Sequence, residues 1–392
     1  MALLTMDAVE EALKSYYLSG LREQLNYKTN AFLAEVEKTS ESVVGKEIVM
    51  ALRYGRVGGI GNRADDGTLP TPNSRKTKQA KWETKNIYAR FQITGKTIAA
   101  SKTDTGAFAN MLNQEIEDCE TDAKLDLARQ AMGDGDGTLA VVDSCSDEDG
   151  DNEITVKGST MFFAQGMLVD VLESDGSSRI TEKEVLAVPD DETVIIEDYD
   201  DSIGDGDIIV VHGNYEKELT GLEAVVTEDT ELYGIDRSEN QYKFLNPIVI
   251  DVDGELSETV MQQGIDEVDV KSGSTTDFII CSKGVNRAFQ NLQTTKKQHV
   301  NTLDLEGGWT ALSYNGMPLV ADKFVKEGRM YGLDMNDWAL YQMEDWDWMD
   351  RDGSMLNRVS DKDAWEATLL KYCDLGCQRP RGQFLLENIT EH

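Results

Sequence analysis

The sequence predicts an α+β chain of two or three domains. Three features carry that expectation: period-2 strands near residues 47–54 and 86–93, an apolar helical stripe of about six turns beginning near residue 105, and a run of short strands divided by acidic turns from Thr138 to Glu223. At 392 residues the chain can give each domain its own core.

Residues 6–25 read as an amphipathic helix, with Met6, Val9, Leu13, Tyr16 and Tyr17 near one face and Gly20 loosening its second half. The polar piece Asn30–Gly45 is helix-prone. In the first strand Ile48, Met50, Leu52 and Tyr54 alternate against Glu47, Val49, Ala51 and Arg53; in the second, Ile87, Ala89, Phe91 and Ile93 alternate against Asn86, Tyr88, Arg90 and Gln92. The stretch between them is rich in glycine and charge, so the pair reads as a long hairpin with a polar tip. A two-stranded ribbon alone in water is marginal, and a structureless connection of this length is either functional or disordered. The tip is thus a disordered loop or an arm ordered by lying on a neighbouring subunit.

Phe108, Leu112, Ile116, Cys119, Ala123, Leu127 and Ala131 recur at steps of three or four and predict the longest helix, capped by Asp104 or Thr105 and stopped at Gly133. This stripe reads as core. Beyond it, strands are expected at 154–156, 167–172, 184–188, 193–196 and 207–211, suggesting a small barrel or sandwich inserted as its own module. Ser257 caps a helix through Val268, the strand 277–281 leads into a helix from Val285 to Leu292, and a last short helix is expected around Asp363–Leu370.

Charge narrows the function. The chain carries 73 acidic and 38 basic side chains, a net of -35, which argues against a generic nucleic-acid binder and against docking on anionic lipid. The charge is also segregated. Residues 46–102 hold 12 Lys or Arg against 4 acids, whereas residues 134–233 hold 28 acids against 4 bases. Two solvated surfaces of opposite sign would account for this; so would a basic segment that docks on an acidic surface of another copy. No apolar run is long enough to span a membrane, and the first residues lack a secretory signal.

No motif carries catalysis. Gly95-Lys96-Thr97 lacks the glycine five residues earlier that a phosphate loop requires, since Arg90 stands there. Gly59-Ile60-Gly61-Asn62-Arg63-Ala64 has the letters of a dinucleotide fingerprint but no apolar helix after it. Asp147, Asp149 and Asp151 lack the glycine and glutamate of a calcium loop. The five scattered cysteines fit reduced, buried thiols, and Cys373 with Cys377 has no second pair to make a zinc site. His212, His299 and His392 form no triad with a nucleophile. Trp338, Tyr341, Trp346 and Trp348 read as core and interface. No enzyme, metal site or cofactor is expected.

The order of elements resembles the major capsid proteins of tailed bacteriophages, the Hong Kong 97-like fold that also forms the floor of herpesvirus capsids. The residues that carry the resemblance are Ala80-Lys81-Trp82-Glu83 with the strand to Phe91, the stretch Tyr314–Asp322, Ala364-Trp365-Glu366-Ala367-Thr368-Leu369, and Gln378-Arg379-Pro380-Arg381. The resemblance implies an N-terminal arm (1–45), an extended loop built as a long β-hairpin (46–102), a peripheral domain with its spine helix (103–137), an acidic β-rich insertion domain (138–220), an axial domain (221–317), and a return to the peripheral domain (318–392). The implied function is a subunit that self-assembles into hexamers and pentamers of an icosahedral head shell around double-stranded DNA. Implied partners are further copies of itself, separate scaffolding and portal proteins, and a decoration protein on some shells; the DNA is enclosed without sequence-specific binding. Its place is the virion, after synthesis and assembly in the bacterial host cytoplasm. The family's long N-terminal scaffolding segment is not visible here, so scaffolding is expected from a separate protein or from a removed leader.

The residues expected at the inter-subunit contact are Arg53, Arg56, Arg63, Arg75, Lys76, Lys78, Lys81 and Trp82, with Phe108, Leu112, Ile116, Cys119, Ala123 and Leu127 as the spine-helix core. Two other readings remain at this stage: an acidic β-rich binding or decoration protein with Ca²⁺ or glycan affinity, and a hydrolase using a metal held by clustered carboxylates.

Overall fold

The computed structural model describes residues 30–55, 58–96, 105–228, 230–295, 302–304, 310–350 and 356–391. The helix expected over 6–25 and Arg56 lie outside these residues. The chain is mixed α+β, and its buried residues divide into three apolar clusters.

The first described element is α1 (Ala31–Glu35), whose start is fixed by Asn30: its side-chain oxygen accepts the Leu33 N–H at 2.7 Å. The helix expected to run on to Gly45 ends here. Lys38 and Thr39 instead lie in β1 (Glu37–Thr39), followed by β2 (Val43–Val44). The segment's β-branched Thr39, Val43 and Val44 disfavour the helix, and Ser42 and Gly45 both adopt positive φ.

The alternating strand at 47–54 is β3 (Glu47–Tyr54), and Ile48, Met50 and Leu52 are buried as its pattern requires. Its partner corrects the expected hairpin. β3 pairs antiparallel with β4 (Lys76–Glu83), whereas β5 (Lys85–Thr94) crosses to another sheet and pairs with β22 (Ala364–Cys377). β4 was hidden in the charged stretch because Lys76, Lys78, Gln79 and Lys81 leave only Ala80 and Trp82 as apolar markers.

α2 (Thr105–Met132) is the long helix. Ile116, Cys119, Ala123, Leu127 and Ala131 are buried as expected, while Phe108 and Leu112 lie where side chains are outside the described residues. The acidic segment forms a closed six-stranded antiparallel barrel of β6 (Thr138–Glu148), β7 (Asp151–Lys157), β8 (Leu168–Leu172), β9 (Ser178–Ala187), β10 (Thr193–Ile196) and β11 (Ile208–Val211), ordered β10-β7-β6-β11-β8-β9. Closure removes the free edges that such short strands would otherwise expose. Val142, Ile154, Val169, Val171, Val185, Val194, Ile196 and Ile209 fill its interior. The barrel leaves the body through 133–137 and returns through 212–221. There Arg129 binds Glu218 in buried surroundings, and Phe162 stacks on Phe324 with centroids 6.0 Å apart.

After the return come α3 (Leu222–Val226), the small ribbon of β12 (Glu231–Leu232) and β13 (Ile235–Asp236), and a 3-10 turn at Lys243–Leu245. A seven-stranded sheet then brings together β14 (Ile248–Gly254), β15 (Phe278–Cys281), β16 (Thr302–Asp304), β17 (Thr310–Tyr314), β18 (Met317–Ala321), β19 (Met330–Leu333) and β23 (Phe384–Ile389). α4 (Glu258–Ser272) and α5 (Lys283–Thr295) share one apolar cluster with it. Ser257 caps α4 as expected, its hydroxyl accepting from Val260 N–H, and Gly273 in the left-handed region ends the helix.

β22 is the second correction, because a helix is expected over Asp363–Leu370. It pairs with β5 on one edge and with β20 (Trp338–Trp348) and β21 (Asn357–Arg358) on the other. From Leu369 to Cys377 only Lys371, whose side chain is buried, Tyr372 and Asp374 break its apolar character, so the strand is buried on both faces. Such a run lacks the alternation that separates strand from helix.

Candidate inter-subunit surface

The β3–β4 hairpin has two parts with different physics. Its base is held by its own chain. Ile48, Met50, Leu52 and Ala80 belong to the same buried cluster as Leu232, Tyr233, Ile235 and Leu245. Trp82 stacks on Tyr233 with centroids 4.0 Å apart and meets Tyr341 edge-on at 5.8 Å, while Tyr54 stacks on Phe244 at 4.4 Å. The Lys81 N–H donates to the Tyr233 carbonyl at 3.1 Å. Gly234, at φ +71, permits this approach: a Cβ there would lie 3.0 Å from the Lys81 carbonyl oxygen.

This platform is itself pinned by Arg237, which is fully buried. Its guanidinium donates to the carbonyls of Ala224, Val225 and Thr230 and to the Thr230 hydroxyl, satisfying carbonyls that α3 leaves open at its end. Nothing in the sequence marks Arg237; an arginine between short strands carries no periodic signal.

The tip, residues 58–75, is different. Almost every residue in it is exposed, including Ile60 at 77% and Leu69 at 82%. Both apolar side chains are left in solvent by the packing of this chain. The tip has internal order: Arg63 donates to the carbonyls of Thr68 and Asn62, both at 2.9 Å, and Gly67 N–H closes a turn onto Ala64.

The expected contact residues therefore separate. Arg53, Arg75, Lys76 and Lys81 are exposed and form no ion pair with another described residue. Arg63 shapes the tip. Lys78 lies 4.9 Å from the centre of the Tyr242 ring, and Trp82 is half-buried in the base, so both are engaged within the subunit.

The barrel presents the opposite charge. Residues 138–211 hold 20 acids against 3 bases. Each of those bases is paired inside the barrel: Lys157 with Asp205, Lys183 with Asp198, and Arg179 with Glu173 and Asp207. Most of the remaining carboxylates are exposed and form no ion pair with another described residue, whereas Asp170 is buried. His212 Nδ1 lies 2.7 Å from Asp170, which also accepts the Glu182 and Gly213 N–H groups. Burial opposes the ionised form of Asp170, yet these hydrogen bonds outweigh it and hold the carboxyl below its usual range.

The motifs that invited chemistry have structural roles. Gly95 packs on residue 363, where a Cβ would fall 2.3 Å from the Asp363 carboxylate. Asp147 accepts Gly150 N–H in the β6–β7 turn and Asp151 accepts Asp198 N–H, so two of the three aspartates are occupied by backbone donors. Among the described residues no group of three or more His, Cys, Asp or Glu side chains is placed to hold a metal ion. Cys373 and Cys377 are fully buried in β22, and burial pushes the Cys373 thiol up to about 12, out of reach of ordinary thiolate chemistry. Trp338, Tyr341, Trp346 and Trp348 are all buried, as their reading as core requires. No helix is long and apolar enough to cross a membrane among the described residues.

No family model matches the chain, and no curated protein matches it in sequence. Solved structures do. A chain of the cyanophage A-1(L) capsid asymmetric unit is 14% identical, with 94% of this chain and 92% of that one covered at a TM-score of 0.57. A capsid chain of the empty GTA particle is 7% identical, covering 92% and 90% at a TM-score of 0.50. At such identities the likeness is one of fold, and it extends over nearly the whole of each chain. The mixed α+β chain described above thus has the fold of a phage capsid subunit.

Proposed function

We propose that this chain is the major capsid protein of a tailed phage, a subunit that self-assembles into hexamers and pentamers of an icosahedral head around double-stranded DNA. The observation that carries the proposal is the shared fold with the cyanophage A-1(L) capsid chain across 94% of this sequence. The hairpin supports it: the base is fixed in its own subunit while the tip exposes Ile60 and Leu69 to be covered by a neighbour. The barrel at 138–211 is read as an insertion between the spine helix and the axial region, and the seven-stranded sheet with α4 and α5 as that axial region. A tip that reaches from one copy onto the next makes a heterologous contact, which closes into rings when the rotation allows. The negative body suits a wall that must not hold its genome, since polyanions repel.

The test is charge reversal. Arg53, Arg56, Arg63, Arg75 and Lys76 replaced together by glutamate should leave a folded subunit with an unchanged circular-dichroism spectrum that forms no shells in electron micrographs. Normal shells from that variant would remove the hairpin from the account of assembly.

A further inference from the structure

Outside the basic segment 46–102 acids outnumber bases along the chain, so a local positive cluster there calls for a reason. One lies around the 3-10 turn Lys243–Leu245. Lys243, Lys271 and Arg381 ring a cleft of about 270 Å³ whose floor includes Asn246 and Ile248. Arg381 donates to the Lys243 carbonyl at 3.3 Å, which ties two of the cations to one turn. The same turn meets the hairpin: Tyr54 stacks on Phe244, Lys78 sits over Tyr242, and Lys76 lies opposite Tyr54 in the ladder. Lys76 and Lys78 of the hairpin are thus linked, through Tyr54 on Phe244 and through Tyr242, to the turn whose Lys243 lines the cleft with Lys271 and Arg381. The carboxylates nearby are Glu228 at the cleft and Glu267, which pairs with Lys271.

We propose that this basic cleft receives the acidic barrel of a second copy. The inference rests on the self-assembly reading and names the contact within it. Complementarity of charge supports the match: the barrel spends its three bases internally and presents acidic turns such as Asp147-Glu148-Asp149 and Asp200-Asp201. Size agrees, since the cleft admits one or two side chains rather than a whole element. Three cations around one small cleft also differ from the extended track that would follow duplex phosphates. Exposed pairs are individually weak, so several must act together, and the contact weakens as salt rises. Continuity with the hairpin gives two adjoining contacts on one face, so that one would reinforce the other.

The test uses the full chain, prepared in ordinary and ¹⁵N-labelled form, mixed, assembled and treated with a zero-length carbodiimide that joins amines to carboxylates. Mass spectrometry should find mixed-isotope links from Lys243 or Lys271 to carboxylates between residues 143 and 207. Shells that form without such links, or with same-isotope links alone, would overturn the contact and leave the assembly reading standing. A chain that stays monomeric under all conditions would overturn both. As a second arm, Lys243→Glu with Arg381→Glu should raise the concentration needed for assembly by about tenfold at low salt while leaving the melting temperature in place. An unchanged threshold would overturn the inference, as would duplex DNA binding to the wild-type chain that this double variant abolishes.

Discussion

Trp82 joins the hairpin to the rest of the subunit, and removing its ring should loosen the hairpin without unfolding the chain. The indole stacks on Tyr233 and meets Tyr341 edge-on, and a Cβ on Gly376 would fall 3.0 Å from it, so it is wedged between the platform and β22. Each aromatic contact contributes about 0.5–1.5 kcal/mol beyond area burial, and two of them come to about 2 kcal/mol. The side chain is half-buried, so the full cost of a core Trp→Ala change does not apply. In Trp82→Ala the local opening of β4 should become easier by that amount, which is about a 30-fold rise in amide exchange. Hydrogen exchange read by mass spectrometry over residues 76–83 measures this directly. Peptides from the barrel, a separate apolar cluster, should exchange as in the parent. Trp82→Phe keeps a ring against Tyr233 and should recover most of the protection. Unchanged exchange in Trp82→Ala would refute the idea that stacking fixes the hairpin base.

Further outcomes follow from the buried charges. Arg129→Ala would strand Glu218, which is 4% exposed, and should cost about 3–5 kcal/mol in thermal or urea unfolding; a loss under about 1 kcal/mol would contradict the pairing as drawn. Asp374 is fully buried, and burial pushes its carboxyl up to about 7 although it accepts from Thr220 and Leu375. A carboxyl raised in the folded state favours folding while it stays protonated. That contribution is complete below the unfolded value near 4 and fades as pH rises towards 7. Asp374→Asn, which can keep the same acceptor, should flatten the melting temperature between pH 4 and 7, and an unaltered slope would exclude Asp374 as its source. For Asp170, whose carboxyl is held low, the sign reverses. Its contribution is present above about pH 4 and is lost as pH falls through the lowered folded value, so Asp170→Ala should cost more stability at pH 7 than in acid.

The fold was legible where one face of an element is apolar and the other wet. Ile48, Met50 and Leu52 declare β3, and Ile116, Cys119, Ala123 and Leu127 declare α2. Five of the six barrel strands were visible because acidic turns punctuate them, whereas β6 (Thr138–Glu148), the longest of the six, was not among those expected. Two kinds of element escaped. β4 carries lysines and glutamine through most of its length, so its hydrophobic signal reduces to Ala80 and Trp82 and the wrong strand was paired with β3. β22 is apolar on both faces over its second half, where period no longer distinguishes strand from helix. At the candidate surface, the segregation of charge was readable from counts alone. The division of the hairpin into a fixed base and a projecting tip was not, because it depends on Tyr233 and Phe244, which lie 150 to 190 residues beyond their partners Trp82 and Tyr54 and meet the hairpin only through tertiary packing.

Sedimentation of the purified chain at low and high salt, with negative-stain imaging of any heavy fraction, tests the central claim most directly. Rings of five or six subunits or closed shells, weakening as salt rises, are the predicted result. A chain that sediments as a clean monomer at both salts, even with a candidate scaffolding protein added, would contradict the proposal of a capsid subunit.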